Sequence, residues 1–219
     1  MKYTIEETQQ AQLVDSSMAA EGRVISRGTL ASSTHSVDYT IHLGLDFGMA
    51  SRCDDKWGAF TESLLSHIKS LEVSGVDIAP ILQSAQLEDS HWSWRKKTIF
   101  KQGESYKWFF LIADKVPQAV CLIYHPQPSV MDAGDIFYVE YLAVAPWNRE
   151  NLLAERVFKG VGSKLLFRII SYAKDDLNLK AGFSLHSLPQ AEKFYQKIGM
   201  KSFAECDKDG TRFFEWAAP

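Results

Sequence analysis

The ten residues Ile136–Ala145 (IFYVEYLAVA) restrict the fold more than any other stretch of the chain. They carry a single charge, Glu140, and their apolar residues occupy both strand faces. Successive strand side chains point to opposite sides, so such a run belongs to a central strand covered from both faces. The flanking segments supply its neighbours. Lys107–Asp114 and Ala119–Tyr124 predict a hairpin of buried strands turning through 115–118, with Pro126 and Pro128 in the loop that follows. Leu166, Ile169, Ile170, Ala173 and Leu177 form one helical stripe behind Gly160 and Gly162. Gly182–His186 predicts a short strand, and a helix after it has Ser187 and Gln190 as a capping box. Ala191, Phe194, Tyr195 and Ile198 give that helix its buried face, and Gly199 ends it. Lys201–Cys206 and Thr211–Trp216 flank a turn at 207–210. Upstream, Phe60, Leu64, Leu65 and Ile68 predict a helix over 57–68, and Ile78, Ile81, Leu82 and Ala85 a second. The order predicts an α/β fold, an α+β mixed sheet with helices on both faces.

With 219 residues the chain accommodates one domain over 46–219 and an N-terminal extension over 1–45, expected to pack on it. To about Thr40 the sequence is rich in Ser, Thr, Gln and Ala and shows no sustained period. Hydrophobic residues at 46% and charged residues at 23% exclude a disordered chain. A net charge of −3 excludes a strongly basic nucleic-acid binder. Cys53, Cys121 and Cys206 form no CxxC and leave an odd one over, which reads as buried thiols in a reducing compartment. No apolar run follows Lys2 and none reaches membrane length, so a soluble, cytoplasmic protein without a signal peptide is expected. The six histidines show no HExxH spacing, and no metal site is expected.

The chemistry concentrates where the central strand runs into a glycine-bearing loop and a helix start: YVEYLAVAP, then KGVGSKLL. Gly160 and Gly162 let backbone approach a ligand, and the free amides of a helix start favour an anion. Lys159 and Lys164 flank the turn, Arg168 lies one helical turn on, and no carboxylate interrupts them. A diphosphate-sized anion fits that pattern; glycines that merely close a tight connection fit it as well. The GxxxxGK[ST] loop and the third glycine of GxGxxG are both absent.

YLAVAP, KGVGSKLL and, some thirty residues on, AEKFYQKIGM together resemble the GNAT superfamily of acyl-CoA-dependent N-acyltransferases, over roughly Trp108–Trp216. The resemblance implies acetyl-CoA as co-substrate, no metal, and a small-molecule or peptide amine as acceptor. It implies a cofactor site of Leu142, Ala143, Val144, Val157, Lys159, Gly160, Val161, Gly162, Ser163 and Lys164. Leu142 and Val144 would offer backbone groups to the pantetheine arm, the Val144 amide polarising the thioester carbonyl. Tyr195, in the AxxxYxxxG pattern with Ala191 and Gly199, matches the family tyrosine that protonates the departing thiolate; its place in the buried stripe makes a core tyrosine the competing reading. Three departures stand out. Val157 occupies the place of the family's Gln or Arg, with Arg156 one position earlier. Fourteen positions separate Pro146 from Gly160, so 147–158 carries an insertion. Ser187 and Leu188 stand where the family often has Asn.

Glu140 is desolvated in its apolar strand, so it is paired or its pKa is raised. Alternation puts it on a face with Tyr138, Leu142 and Val144, which in the family lines the catalytic cleft. It is the candidate general base, directly or through water; a purely structural carboxylate is the competing reading. His186 reads as a structural histidine, with a place in the cleft as the alternative. Trp92, Trp94, Tyr106 and Trp108 read as core, with an acceptor wall as alternative, and Arg95, Lys96 and Lys97 as a solvated edge, with attraction of an anionic ligand as alternative. A non-catalytic acyl-CoA-binding module of the same fold is the alternative function, and a peptide-binding protein a more distant one.

Overall fold

The computed structural model describes residues 22–32 and 35–218. They form one mixed sheet of β1 (Arg23–Ala31), β2 (Ser36–Leu43), β3 (Tyr106–Ala113), β4 (Val116–Pro128), β5 (Asp135–Val144), β6 (Gly182–Ser187), β7 (Lys201–Ser202) and β8 (Arg212–Ala217). Spatially the order is β1-β2-β3-β4-β5-β6-β8-β7. Among the described strands only β5 and β6 run parallel, and every other neighbouring pair is antiparallel. The helices are α1 (Phe47–Val73), α2 (Ala79–Ser84), α3 (Trp94–Phe100), α4 (Val161–Asp175) and α5 (Glu192–Lys197).

Two clusters of buried side chains separate the faces. On one, the α4 stripe Leu165, Leu166, Ile169 and Ala173 packs with Phe109, Cys121, Phe137, Val139 and Tyr195. On the other, Ala50, Cys53 and Trp57 of α1 and Trp94 of α3 pack with Trp108, Phe110 and Leu122. Each fully buried Leu or Ile in such a stripe contributes about 1.5–3 kcal/mol over exposure, so both layers are firmly anchored. Asp54 joins α1 to α3: its carboxylate accepts from the Ser93 hydroxyl, the Trp94 and Arg95 amides and Arg95 Nε at 2.7–3.1 Å.

The mixed sheet covered on both faces is as expected. Several local readings are corrected. α1 begins at Phe47, after Asp46, whose carboxylate caps the Met49 amide at 2.8 Å, and runs to Val73 rather than over 57–68. The β3–β4 turn is the residue pair Asp114 and Lys115, both at positive φ, rather than 115–118. β4 continues through Pro126 and Pro128 instead of ending before them. Pro126 falls in the register shift between Tyr124 and Gln127, where its missing N–H costs no ladder bond. No capping box forms: the Ser187 hydroxyl donates to the Leu188 carbonyl, and a 3-10 turn, Pro189–Ala191, leads into α5. Cys206 is half-exposed rather than buried. Part of the expected extension, Arg23–Leu43, supplies β1 and β2; the rest, before residue 22, lies outside the described residues.

Candidate active site

The site is built on an irregularity of β5. Leu122 pairs with Tyr141 and Ile123 with Val139, so Glu140 is an extra residue in a β-bulge. Alternation breaks there. Glu140 and Tyr141 both lie towards α1 and α3: Lys101, just after α3, donates to Glu140 Oε2 at 3.0 Å, and Tyr141 packs on the Trp94 cluster. Leu142 and Val144 pack on the α4 face. The expectation that Glu140 shares a face with Leu142 and Val144 is therefore wrong, because strict period-2 counting fails across a bulge. Burial works to lower the Lys101 ammonium, but the hydrogen bond and charge of Glu140 outweigh it and hold Lys101 above the ordinary lysine value. Glu140 Oε1 carries no hydrogen bond from the described residues and remains able to accept one.

Beyond the bulge β5 parts from its parallel neighbour. β6 pairs with Phe137, Tyr138 and Val139 and no further. The Ala145 amide donates to Gln118 on the β4 side at 2.9 Å. Backbone groups alternate sides along a strand, so those of Leu142 and Val144 face the open edge. The Val144 carbonyl already accepts from Arg149 Nε at 2.9 Å.

Facing this edge is the start of α4. Gly160 sits at φ +71°, the left-handed region that favours glycine, and a Cβ there would meet open space. The first intrahelical bond runs from the Lys164 amide to the Gly160 carbonyl at 3.0 Å. The amides of Val161, Gly162 and Ser163 precede it without a side-chain cap, and no acidic residue lies in the first turn. Gly162 serves a different purpose: a Cβ there would come within 3.1 Å of Val144 Cγ2, so its absence lets α4 lie close on β5.

A cleft of about 390 Å³ unites Leu142, Ala143, Val144, Gly160, Val161, Gly162, Ser163 and Tyr195. Val157, Lys159 and Lys164 instead line an adjoining cavity of about 840 Å³ between β1 and the 150–157 segment. Arg156, paired with Glu150 at 3.3 Å, borders both. Arg168 is spent elsewhere, on the Ile25 carbonyl of β1 at 3.2 Å. The Tyr195 ring is buried beside Phe194 and Phe214. Burial, with Cys121 adding, pushes its phenol well above the ordinary tyrosine value, so the hydroxyl keeps its proton. Glu140 does not line this cleft; it stands on the opposite face of β5.

The insertion is an ordered loop. Asn148, buried, donates to Gln118 Oε1 at 2.9 Å and accepts from the Phe158 amide at 3.0 Å, and Phe158 enters the α4-side core. Sequence reasoning missed Arg149 and Asp89. Their ion pair is bidentate, at 2.6 and 2.5 Å, with side chains 14% and 11% exposed. It pins the loop after α2 to the end of β5, across sixty positions that share no periodic signal. His186 is structural, as expected. Its Nε2 hydrogen goes to the Cys206 carbonyl at 2.8 Å, since a carbonyl only accepts, leaving Nδ1 to accept from Tyr138 at 2.7 Å. Burial, with the Glu140 charge adding, pushes Tyr138 up to about 12, consistent with a donor. Trp94 and Trp108 are core, while Trp92 and Tyr106 are half-buried. No group of His, Cys, Asp and Glu suited to a metal occurs among the described residues, and none of their helices is long and apolar enough to cross a membrane.

No family model matches the chain, and no curated protein matches it in sequence. Solved structures do. The GNAT domain of S. lividans PAT aligns with TM-score 0.53 and 12% identity, over 88% of this chain and 97% of that one. The PaiA N-acetyltransferase of Thermoplasma acidophilum, solved in complex with coenzyme A, aligns with TM-score 0.49 and 14% identity, over 81% and 99%. An acetyltransferase of Streptococcus agalactiae aligns with TM-score 0.46 and 12% identity, over 81% and 98%. The likeness to the PAT domain reaches well beyond the stretch carrying the LAVAP and GVGSKLL motifs, and the chain has the GNAT fold.

Proposed function

We propose that this protein is an N-acetyltransferase that moves an acetyl group from acetyl-CoA to an amine by direct attack in a ternary complex. One observation carries the reading: the open edge of β5, the uncapped start of α4 and the Tyr195 phenol line a single cleft. The residues suit the co-substrate. The amides of Val161, Gly162 and Ser163 would take the diphosphate, with Lys159, Lys164 and Arg156 around it. The free amides of Leu142 and Val144 would take the pantetheine arm and the thioester carbonyl. Bound there, acetyl-CoA supplies a thioester carbon open to attack by an amine.

The chain's own groups then divide the proton work. A lysine-like amine of pKa about 10.4 costs about 4–5 kcal/mol to neutralise at pH 7, so a base has a barrier to lower. Glu140 offers Oε1 as that base, directly or through water, from the α1 and α3 face. Tyr195 donates its hydroxyl hydrogen towards the sulfur from the α4 face. The acceptor would approach through the groove of about 440 Å³ beside Trp57, Trp92 and Trp94, which meets the cleft at Asp89 and Arg149. Glu62 on that groove's wall suits a cationic amine. Three free thiols suit a reducing compartment, and we place the protein in the cytoplasm.

A thermal-shift titration with CoA and acetyl-CoA tests binding, because a ligand of the folded state raises the melting temperature. Thiol release across an amine panel, with mass spectrometry of products, tests turnover. No shift at saturating CoA would refute the proposal. A shift without thiol release for any amine would favour a non-catalytic acyl-CoA-binding module, a reading that the Lys101 grip on Glu140 supports.

A further inference from the structure

The run His91–Lys97 lends Trp92 and Trp94 to the proposed acceptor groove, while two of its cations have different fates. Arg95 is bound to Asp54 and Asp55 at 3.1 and 3.3 Å. Lys97 forms no ion pair among the described residues; its Nζ lies 3.5 Å from the centre of the Tyr141 ring and 5.0 Å from that of Trp92. It lines a solvent-open cavity of about 340 Å³, within the range of small-molecule sites. Lys96 and Lys101 line it too, with Trp92, Phe100 and Tyr141, and no carboxylate does. Phe100 is 77% exposed at its mouth.

We propose that this cavity binds a small aromatic acid, with Lys97 as counter-charge to its carboxylate and Trp92, Phe100 and Tyr141 against its ring. An ammonium set against aromatic faces is desolvated without a full counter-charge, and an incoming carboxylate supplies one. The charged groups facing Lys97 are Asp54 on α1, Lys101 after α3 and Glu140 on β5, with Lys96 and His91 also on the cavity wall. Asp54 is committed to Arg95 and Glu140 to Lys101, so neither neutralises Lys97 directly. Consistent with this, burial lowers the Lys97 ammonium to about 8, Asp54 and Glu140 opposing and Lys101 reinforcing. The cavity shares no lining residue with the acetyl-CoA cleft; it shares Trp92 and Ser93 with the proposed acceptor groove, and Lys101 on its wall holds Glu140, so benzoate binding is read in the absence of acetyl-CoA and amine.

The test is benzoate, titrated by calorimetry into the full-length chain. In parallel, labelling of Lys97 by an amine-reactive acetyl ester is mapped by peptide mass spectrometry across pH. In the free protein the labelling midpoint should fall near pH 8. Saturable benzoate binding should raise that midpoint by about one unit, equivalent to about tenfold slower labelling below it. Lys97→Met should abolish binding, Lys97→Arg should retain it, and Lys174→Met on α4 should change neither. If Lys97→Met does not fold, protection of wild-type Lys97 and the behaviour of Lys97→Arg decide the question. Benzoate that leaves Lys97 labelling unchanged, or that binds Lys97→Met as well as wild type, would overturn the proposal. So would inorganic phosphate binding as tightly as benzoate, because the ring would then be irrelevant.

Discussion

Tyr195→Phe separates packing from chemistry more cleanly than any other single change. The ring is 7% exposed, its centre 5.2 Å from that of Phe194 and 6.1 Å from that of Phe214. Phenylalanine keeps those contacts. Tyr195 lines the cleft, and its hydroxyl hydrogen-bonds no group among the described residues, so its removal strands no partner. Stability should therefore move by no more than about 0.5 kcal/mol, well below the ~1–3 kcal/mol cost of an orphaned buried partner. The catalytic loss follows from the proton's affinity. Burial holds the phenol above its ordinary value, whereas a thiolate has a pKa of about 8.5, so complete transfer from Tyr195 to sulfur runs uphill. What the phenol can give is a hydrogen bond to developing negative charge, worth about 1.5–3 kcal/mol. That corresponds to about a 10–150-fold fall in kcat, at or below the bottom of the range for general acid catalysis. The acetyl-CoA dissociation constant should hardly change, because the interaction strengthens only as charge develops. The assay is thiol release with the best acceptor, with the denaturation midpoint measured on the same preparation. A normal midpoint with turnover within about twofold of wild type would remove Tyr195 from the mechanism.

Gly162→Val should lose about 1–3 kcal/mol by overpacking, since even a Cβ would approach Val144 Cγ2 to 3.1 Å. Val144→Ala in the same chain should recover part of that loss; a folded Gly162→Val chain of unchanged midpoint would contradict the packing role. Arg149→Ala should cost about 3–5 kcal/mol, because it leaves the Asp89 carboxylate buried and unpaired. Adding Asp89→Asn should restore part of that stability in a denaturant titration, and a double variant no more stable than Arg149→Ala would show that the pair is not what matters. Lys97→Met should raise the melting temperature most below pH 8. The unfolded lysine binds protons up to about pH 10.4 and the folded one only to about 8, so wild-type stability rises with pH between those values and the variant's advantage fades across the same window. An advantage independent of pH would show that Lys97 is not desolvated.

The parts of the fold legible in the sequence are those whose burial is one-sided or complete. Ile136–Ala145 reads as a central strand because both its faces need cover, and α4 reads as a helix because its stripe meets one layer. β1 and β2 escape because both are only partly buried: β1, at the sheet edge, buries only Leu30 fully, and its pattern merges with that of a polar loop. The site divides in the same way. The glycine-led start of α4 is local, and sequence order alone brings it to the end of β5. Arg149 and Asp89 are a tertiary pair, and nothing near either residue announces the other.

Glu140 is the most instructive case, because its identity as the lone charge was legible while its direction was not. A bulge is a relation between two strands, and the extra residue of β5 is visible only against Leu122 and Ile123 of β4. Counting by twos along β5 puts Glu140 with Leu142 and Val144, but the bulge turns it to Lys101 on the far side. That inversion makes the proposed chemistry more coherent. A base and a proton donor on one face would crowd a single approach to the open edge. With Glu140 on the α1 and α3 face and Tyr195 under α4, an amine can arrive from one side while sulfur departs towards the other. The same bulge also ends the β5–β6 ladder at Val139, freeing the Leu142 and Val144 amides that such a reaction needs. A single inserted residue thus sets both the direction of the carboxylate and the opening of the strand edge.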